Sequence, residues 1–220
     1  MSYEQQGTVG VITFDDGKAN AVGHEFLAKA HAGLDQAEQE AQAVVLTGRT
    51  GIFSAGFDLK ELQKGPAEST ALVEAGVRLF LRVFSHPQPV IVAATGHAIA
   101  AGAFLCLAAD TRHIASGDYK VGLNETAIGM SLPAWGFALA SARLSRRHLT
   151  RAVTQAELYS PDAAQDVGFV DEVVPAEALL SGAIAEAARL GEMDTAAYHH
   201  NKIGWRAPFI EQIKATLPDA

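Results

Sequence analysis

The sequence predicts an α/β fold. Three short apolar runs, Thr8–Phe14, Ala43–Thr47 and Pro89–Ala94, have the length and composition of strands. Longer segments of helical period separate them, at Glu25–Glu40 and Leu72–Phe84. Glycine and proline stand at the junctions and stop one kind of segment from running into the next. That alternation is the pattern of an α/β architecture with short strands.

Each element follows from its residues. Thr8–Phe14 is a strand closed by the Asp15-Asp16-Gly17-Lys18 turn. Glu25–Glu40 places Phe26, Ala30, Leu34 and Ala37 on one helix face. Ala43–Thr47 is too short to pack as a helix and ends at Gly48, after which a loop carries a small-residue turn, Ser54–Leu59. Leu72–Phe84 is amphipathic and stops before Pro87 and Pro89, which force extended chain. A second small-residue turn, Gly96–Gly102, leads from the Pro89–Ala94 strand into an apolar helix over Gly102–Ala109. Strands resume at Thr111–Ala115 and Lys120–Gly122. Asp162–Gly168 reads as a helix ended by glycine, and Phe169–Val174 as a late strand. Pro175 opens a helical region whose last segment, Phe209–Leu217, is amphipathic. We therefore expect a core over residues 1–175 and a helical C-terminal appendage over 176–220.

Composition narrows the function. The 220 residues suffice for one well-buried unit, and 49% hydrophobic against 19% charged residues fits a soluble globular chain. Seventeen basic and 25 acidic residues give a net charge of -8, with no dense basic stripe, so no nucleic-acid partner is expected. The densest basic cluster, Arg143–His148, reads as a solvated helix face, with contact to an anionic ligand or subunit as the alternative. Cys106 is the only cysteine, which excludes an intrachain disulfide and suits a reducing compartment. It reads as a small buried hydrophobe rather than a nucleophile. The apolar run around it is too short for a bilayer, and the first residues lack a signal-peptide pattern, so we expect a cytoplasmic protein and no membrane partner.

The chemistry lies in the two turns and one carboxylate. Ala101 and Gly102 fall where a strand gives way to a buried helix, and first-turn N–H groups there lack internal partners while the helix dipole adds positive potential. An oxyanion would be held at that point; close helix–strand packing explains the same small residues equally well. In Ser54-Ala55-Gly56-Phe57-Asp58-Leu59, the Phe57 N–H follows a sharp bend, and Asp58 suits a helix N-cap better than catalysis. Glu125 lies in Gly122-Leu123-Asn124-Glu125-Thr126 beside an apolar segment, where burial would raise its pKa and suit it to proton transfer. Asn124 serves to orient that carboxylate or a ligand, or simply to form a turn. His97 beside the second turn reads as structural, with a proton carrier as the alternative, and His199 and His200 lack partners at metal-ligand spacing, so no metal is expected.

Phe53–Leu59, Gly96–Asp110 and Gly122–Pro133, in that order and spacing, together with Ser160–Pro175, resemble the crotonase (enoyl-CoA hydratase/isomerase) superfamily over residues 8–180. The resemblance implies a spiral of β-β-α repeats with a helical C-terminal region, here shortened, and assembly as a homotrimer or dimer of trimers. It implies an acyl-CoA thioester substrate, with coenzyme A as part of that substrate and no separate cofactor. Two backbone N–H groups, on Phe57 and Ala101, would hold the thioester oxygen; Ala101 stands where glycine is usual. Ala55, Gly56, Asp58 and Leu59 would border the substrate on one side, and Gly102, Phe104, Asn124 and Trp135 on another. Of the two glutamates used by hydratases of the family, one position falls on Phe104 and the other on Glu125. A single glutamate looks like the Δ3,Δ2-enoyl-CoA isomerases. The alternatives are a hydrolase or weak hydratase of the family, or a catalytically silent acyl-CoA-binding subunit.

Overall fold

A computed structural model describes residues 1–218. Its framework is a six-stranded sheet in the order β1-β2-β3-β5-β7-β9: Ser2–Gln6, Val9–Thr13, Ala43–Thr47, Val90–Ala94, Thr111–Ala115 and Glu172–Val174. β1 pairs antiparallel with β2, and every later pair is parallel. A second, three-stranded parallel sheet contains β4 (Gly51–Ser54), β6 (Gly96–Ile99) and β8 (Val121–Gly122).

The chain visits the sheets in turn. β3 leads to β4, β5 to β6 and β7 to β8, so each passage adds one strand to the large sheet and one to the small. The β5–β6 passage ends in helix α4 (Ala101–Ala108), and the β3–β4 passage in α2 (Leu59–Leu62) and α3 (Pro66–Phe84). The small sheet thus brings residues 51–54, 96–99 and 121–122 side by side, and the segments leaving those strands emerge together. Sequence reasoning took β4 as loop and β6 as turn, because neither has the unbroken apolar run of the large sheet.

Both faces of the inner strands β2, β3 and β5 are covered, which is why these read as continuous apolar runs. Val44, Leu46, Val90, Val92 and Ala94 point into the main core with α1 (His24–Glu40), α3 and α4. Their neighbours Ala43, Val45, Ile91 and Ala93 point the other way, onto α7 (Ala176–Gly191), which supplies Leu179, Ala183, Ala187 and Leu190. Helix α1 buries the expected Phe26, Ala30, Leu34 and Ala37.

Several expected boundaries move. β1 is new: its polar, mostly exposed residues carry no strand pattern, yet it pairs over its whole length with β2. α3 begins at Pro66, six residues before Leu72, with proline in its first turn and a polar, exposed start. The late strand is only Glu172–Val174, since Phe169 and Val170 precede it as buried loop residues. The final helix, α8, is Thr195–Lys214 and passes through Pro208; it lies in the helical region expected after Pro175 and ends three residues before the expected limit of the Phe209–Leu217 segment. Before the late strand, α5 (Ala134–Arg143) and α6 (Pro161–Val167, ended at Gly168 with φ 100) agree with the helical reading after Pro133. No described helix is long and apolar enough to cross a membrane.

Candidate active site

The first small-residue turn is held by a clasp that sequence reasoning missed. The buried Asn20 donates from Nδ2 to Phe14 O (2.8 Å) and Phe53 O (3.1 Å), while Ser54 Oγ donates to Asn20 O (2.8 Å). Residues 19–22 therefore run beside residues 55–58. Val22 N–H donates to Gly56 O at 2.8 Å, and Asp58 N–H donates to Val22 O at 3.1 Å. Phe57 lies between those two bonds, so its own N–H points away from Val22 and finds no acceptor among the described residues.

The second turn is the β6–α4 junction. Ala100 adopts φ 50 and ψ −117, a region that L-residues rarely occupy. Its N–H donates to Gly122 O and its carbonyl accepts from Phe104 N–H, both at 3.0 Å. The next N–H, of Ala101, belongs to the first helical turn and has no acceptor among the described residues. Gly56 joins the two turns: with φ 104, a Cβ there would lie 3.0 Å from Ala100 Cβ and 3.6 Å from Ala101 N.

A cavity of about 270 Å³ opens beside this junction. Ala55, Phe57 and Leu59 line it from the first turn, Phe104 and Trp135 from α4 and α5, and Asn124 and Glu125 from the segment after β8. Ile128 and Met130, of the apolar segment expected beside Glu125, complete the apolar wall together with Leu132 and with Leu62 and Val73, the last two not singled out by motif reading. Phe104 and Trp135 pack edge to face with centroids 4.7 Å apart, and Phe80 supports both at 5.9 and 5.6 Å. Among the described residues Glu125 is the only acidic side chain lining this cavity. Its Oε2 and the Asn124 Oδ1 are buried without a hydrogen-bond partner among the described residues. Burial pushes the Glu125 carboxyl above the ordinary glutamate range, against a smaller lowering by its own backbone N–H.

Other expected site residues lie off the lining. Ala101 is fully buried in the main core, so its methyl group packs inward while Ala100 faces the cavity. Gly102 meets β4 closely: a Cβ there would sit 2.3 Å from Ser54 O. Asp58 caps α2, accepting from Lys60 N–H at 2.8 Å, and borders a separate polar cavity with Asp16 and Glu61. His97 accepts from Lys120 N–H through Nδ1 and meets Tyr119 edge-on. Arg143, expected on a solvated face, turns inward and donates to Leu107 O and Ala109 O at the end of α4. No three His, Cys, Asp or Glu side chains converge as a metal site among the described residues.

The sequence model of the enoyl-CoA hydratase/isomerase family matches residues 4–216. The chain belongs to that family. This enoyl-CoA hydratase/isomerase family member is 33% identical over 186 residues to human mitochondrial enoyl-CoA delta isomerase 1, a match covering 82% of this chain and 62% of the relative. It is 35% identical over 213 residues to a probable enoyl-CoA hydratase of Bacillus subtilis, covering 95% and 75%. The chain thus spans a little under two thirds of the mammalian relatives, at 62% and 65% of the human and rat proteins. Among solved structures, an enoyl-CoA hydratase/isomerase family protein from Pseudomonas syringae superposes with TM-score 0.95 at 39% identity, over 97% of this chain and 93% of that one. Human mitochondrial delta3-delta2-enoyl-CoA isomerase superposes with TM-score 0.93 at 29% identity, over 97% and 86%. The two-sheet spiral of the family member is therefore the crotonase fold that its motifs predicted.

Proposed function

We propose that the protein is a Δ3,Δ2-enoyl-CoA isomerase in which Glu125 is the only acid–base group. The observation that carries this reading is the pairing on the cavity wall: an unpartnered, half-buried glutamate at 125 and a phenylalanine at 104. Adding water across a double bond calls for one group to activate the water and another to manage the α-proton. Phe104 offers neither. Moving a double bond calls for one base on one face.

In the proposed reaction the Glu125 carboxylate removes a proton from C2 of a 3-enoyl thioester. The C–H electron pair becomes the C1–C2 π bond of a dienolate, and the negative charge settles on the thioester oxygen. The N–H groups of Phe57 and Ala101, both without acceptors, are the donors assigned to that oxygen. One such donor is typically worth on the order of 3 kcal/mol in a transition state. Glu125, now protonated, returns the same proton to C4, and the double bond ends between C2 and C3 with no net gain or loss of atoms. A carboxyl whose pKa is lifted by burial is suited to both halves of this transfer, and such a positioned base contributes about 10²–10⁴-fold. Apolar walls keep water from the dienolate.

The test is direct. Purified protein is mixed with a 3-enoyl-CoA and formation of the conjugated 2-enoyl thioester is followed by absorbance. Turnover that disappears in Glu125→Gln while thioester binding persists is the expected result. Turnover retained in Glu125→Gln, or release of free coenzyme A in place of the conjugated product, would overturn the reading.

A further inference from the structure

We infer that Trp135 sets the acyl-chain limit of this site, by forming the partition between the catalytic cavity and a second cavity directly behind it. This rests on the acyl-thioester reading above. The second cavity measures about 280 Å³ and is bounded by Ser69, Thr70, Glu74 and Val77 of α3 and by Thr216 and Leu217 of the C-terminal turn. Three residues line both spaces: Val73, Pro133 and Trp135. Two hollows of similar size therefore lie back to back, and the bulkiest group between them is the indole of Trp135.

The partition is held firmly. Trp135 is only 5% exposed, packed edge to face on Phe104 at 4.7 Å and against Phe80 at 5.6 Å. Pro133, at the N-cap of α5, fixes the entry of that helix, and Val73 closes the other side from α3. The outer wall of the second cavity is pinned as well: Arg78 of α3 donates to Pro218 O at 2.9 Å, and Leu217 is buried in the main core. A chain extended from the Glu125 side meets the indole face, and the space beyond is closed to it. Short and medium acyl chains fit in front of Trp135, whereas long ones do not.

Saturated acyl-CoAs allow the test to be read by binding alone. Titration calorimetry compares hexanoyl-CoA with dodecanoyl-CoA on the wild type, on Trp135→Leu and on the double variant Trp135→Leu/Ser69→Phe, whose second change fills the rear cavity. Each methylene newly buried is worth about fourfold in affinity. The wild type should favour hexanoyl-CoA, Trp135→Leu should gain at least about tenfold for dodecanoyl-CoA, and the double variant should lose that gain. Trp135→Phe removes less of the partition and should shift the preference the same way to a smaller extent, which serves if the leucine variant folds poorly. Dodecanoyl-CoA bound as tightly as hexanoyl-CoA by the wild type, or a chain-length preference unmoved in both variants, would overturn the inference alone. Failure of every acyl-CoA to bind the folded wild type would overturn it together with the functional reading beneath it.

Discussion

Gly56 and Ala100 meet so closely that a single methyl group on the glycine would lie 3.0 Å from the alanine Cβ. This contact is where the two halves of the site are brought together, because each residue precedes an N–H without an acceptor, on Phe57 and on Ala101. Both residues hold positive φ, 104 for Gly56 and 50 for Ala100. The junction stores backbone strain at the point where the cavity begins.

Gly56→Ala should therefore weaken both the fold and the site. The left-handed conformation disfavours a side chain and the methyl group crowds Ala100, so a loss of about 1–3 kcal/mol is expected. Thermal unfolding measures the loss. Turnover of a 3-enoyl-CoA in the proposed reaction should fall at least about tenfold even well below the melting temperature, because the Phe57 N–H proposed to hold the thioester oxygen is displaced. A variant with unchanged melting and unchanged turnover would show that the junction has no part in positioning that group.

Glu125 makes a prediction about pH. Its pKa is raised in the folded protein, chiefly by burial. Such a carboxyl contributes stability that is complete below the unfolded-state pKa and is lost as pH rises through the folded value. At neutral pH the buried anion therefore costs stability, and Glu125→Gln should melt at a higher temperature than the wild type. That advantage should shrink as the pH falls into the ordinary glutamate range. In the proposed reaction the base works as the anion, so activity should move oppositely: the acid limb of the rate profile should fall above the usual value of 4.5. An acid limb at or below that value would mean the carboxylate is solvated.

The readable parts of this chain were those whose burial is apolar. The inner strands β2, β3 and β5 of the large sheet announce themselves because both of their faces are covered, and α1 does so through Phe26, Ala30, Leu34 and Ala37. Glu125 and Phe104 were found from their motifs, and the structure places both on one cavity. What escaped notice follows physical causes. Helix α8 turns Lys202 and Arg206 inward alongside Ile210 and Ile213, so its buried stripe has no hydrophobic period until its last turns. Asn20 carries no motif: its role comes from joining Phe14 O to Phe53 O, a carbonyl 33 residues away that only the fold brings near. The lining by Leu62 and Val73 is set by tertiary packing, and nothing local to those residues marks it.

Asp110 holds those inward cations in place. Its carboxylate receives Lys202 Nζ at 2.6 Å and Arg206 Nη2 at 2.8 Å, with all three side chains less than 8% exposed. Lys202 also donates to His86 O and Gln88 O, and Arg206 to Phe84 O, so α8 is tied to the end of α3. Asp110→Ala would leave two buried cations with no carboxylate partner, held only by backbone carbonyls and by the rings of Tyr198 and Phe84. A loss of about 3–5 kcal/mol is expected from breaking such a buried pair. Denaturant unfolding should record it, and a loss under about 1 kcal/mol would mean that water reaches the cluster.

Cys106 reports on the helix that carries the site. It is fully buried in α4, two residues beyond Phe104, and burial pushes its thiol pKa up to about 12. At pH 8 roughly one thiol in ten thousand would be ionised, and that one is enclosed. The native protein should therefore resist an aromatic disulfide reagent, reacting only as fast as α4 opens, whereas denaturant should release one fast-reacting thiol. A saturating acyl-CoA that binds against the start of α4 should slow the native reaction further, by the factor 1 + [L]/Kd when opening is required for labelling. Slowing by the thioester, with no slowing by coenzyme A alone, would locate the acyl group against α4. Rapid labelling of the native protein would instead show that this helix opens readily, and that the donors at its first turn are not held in place.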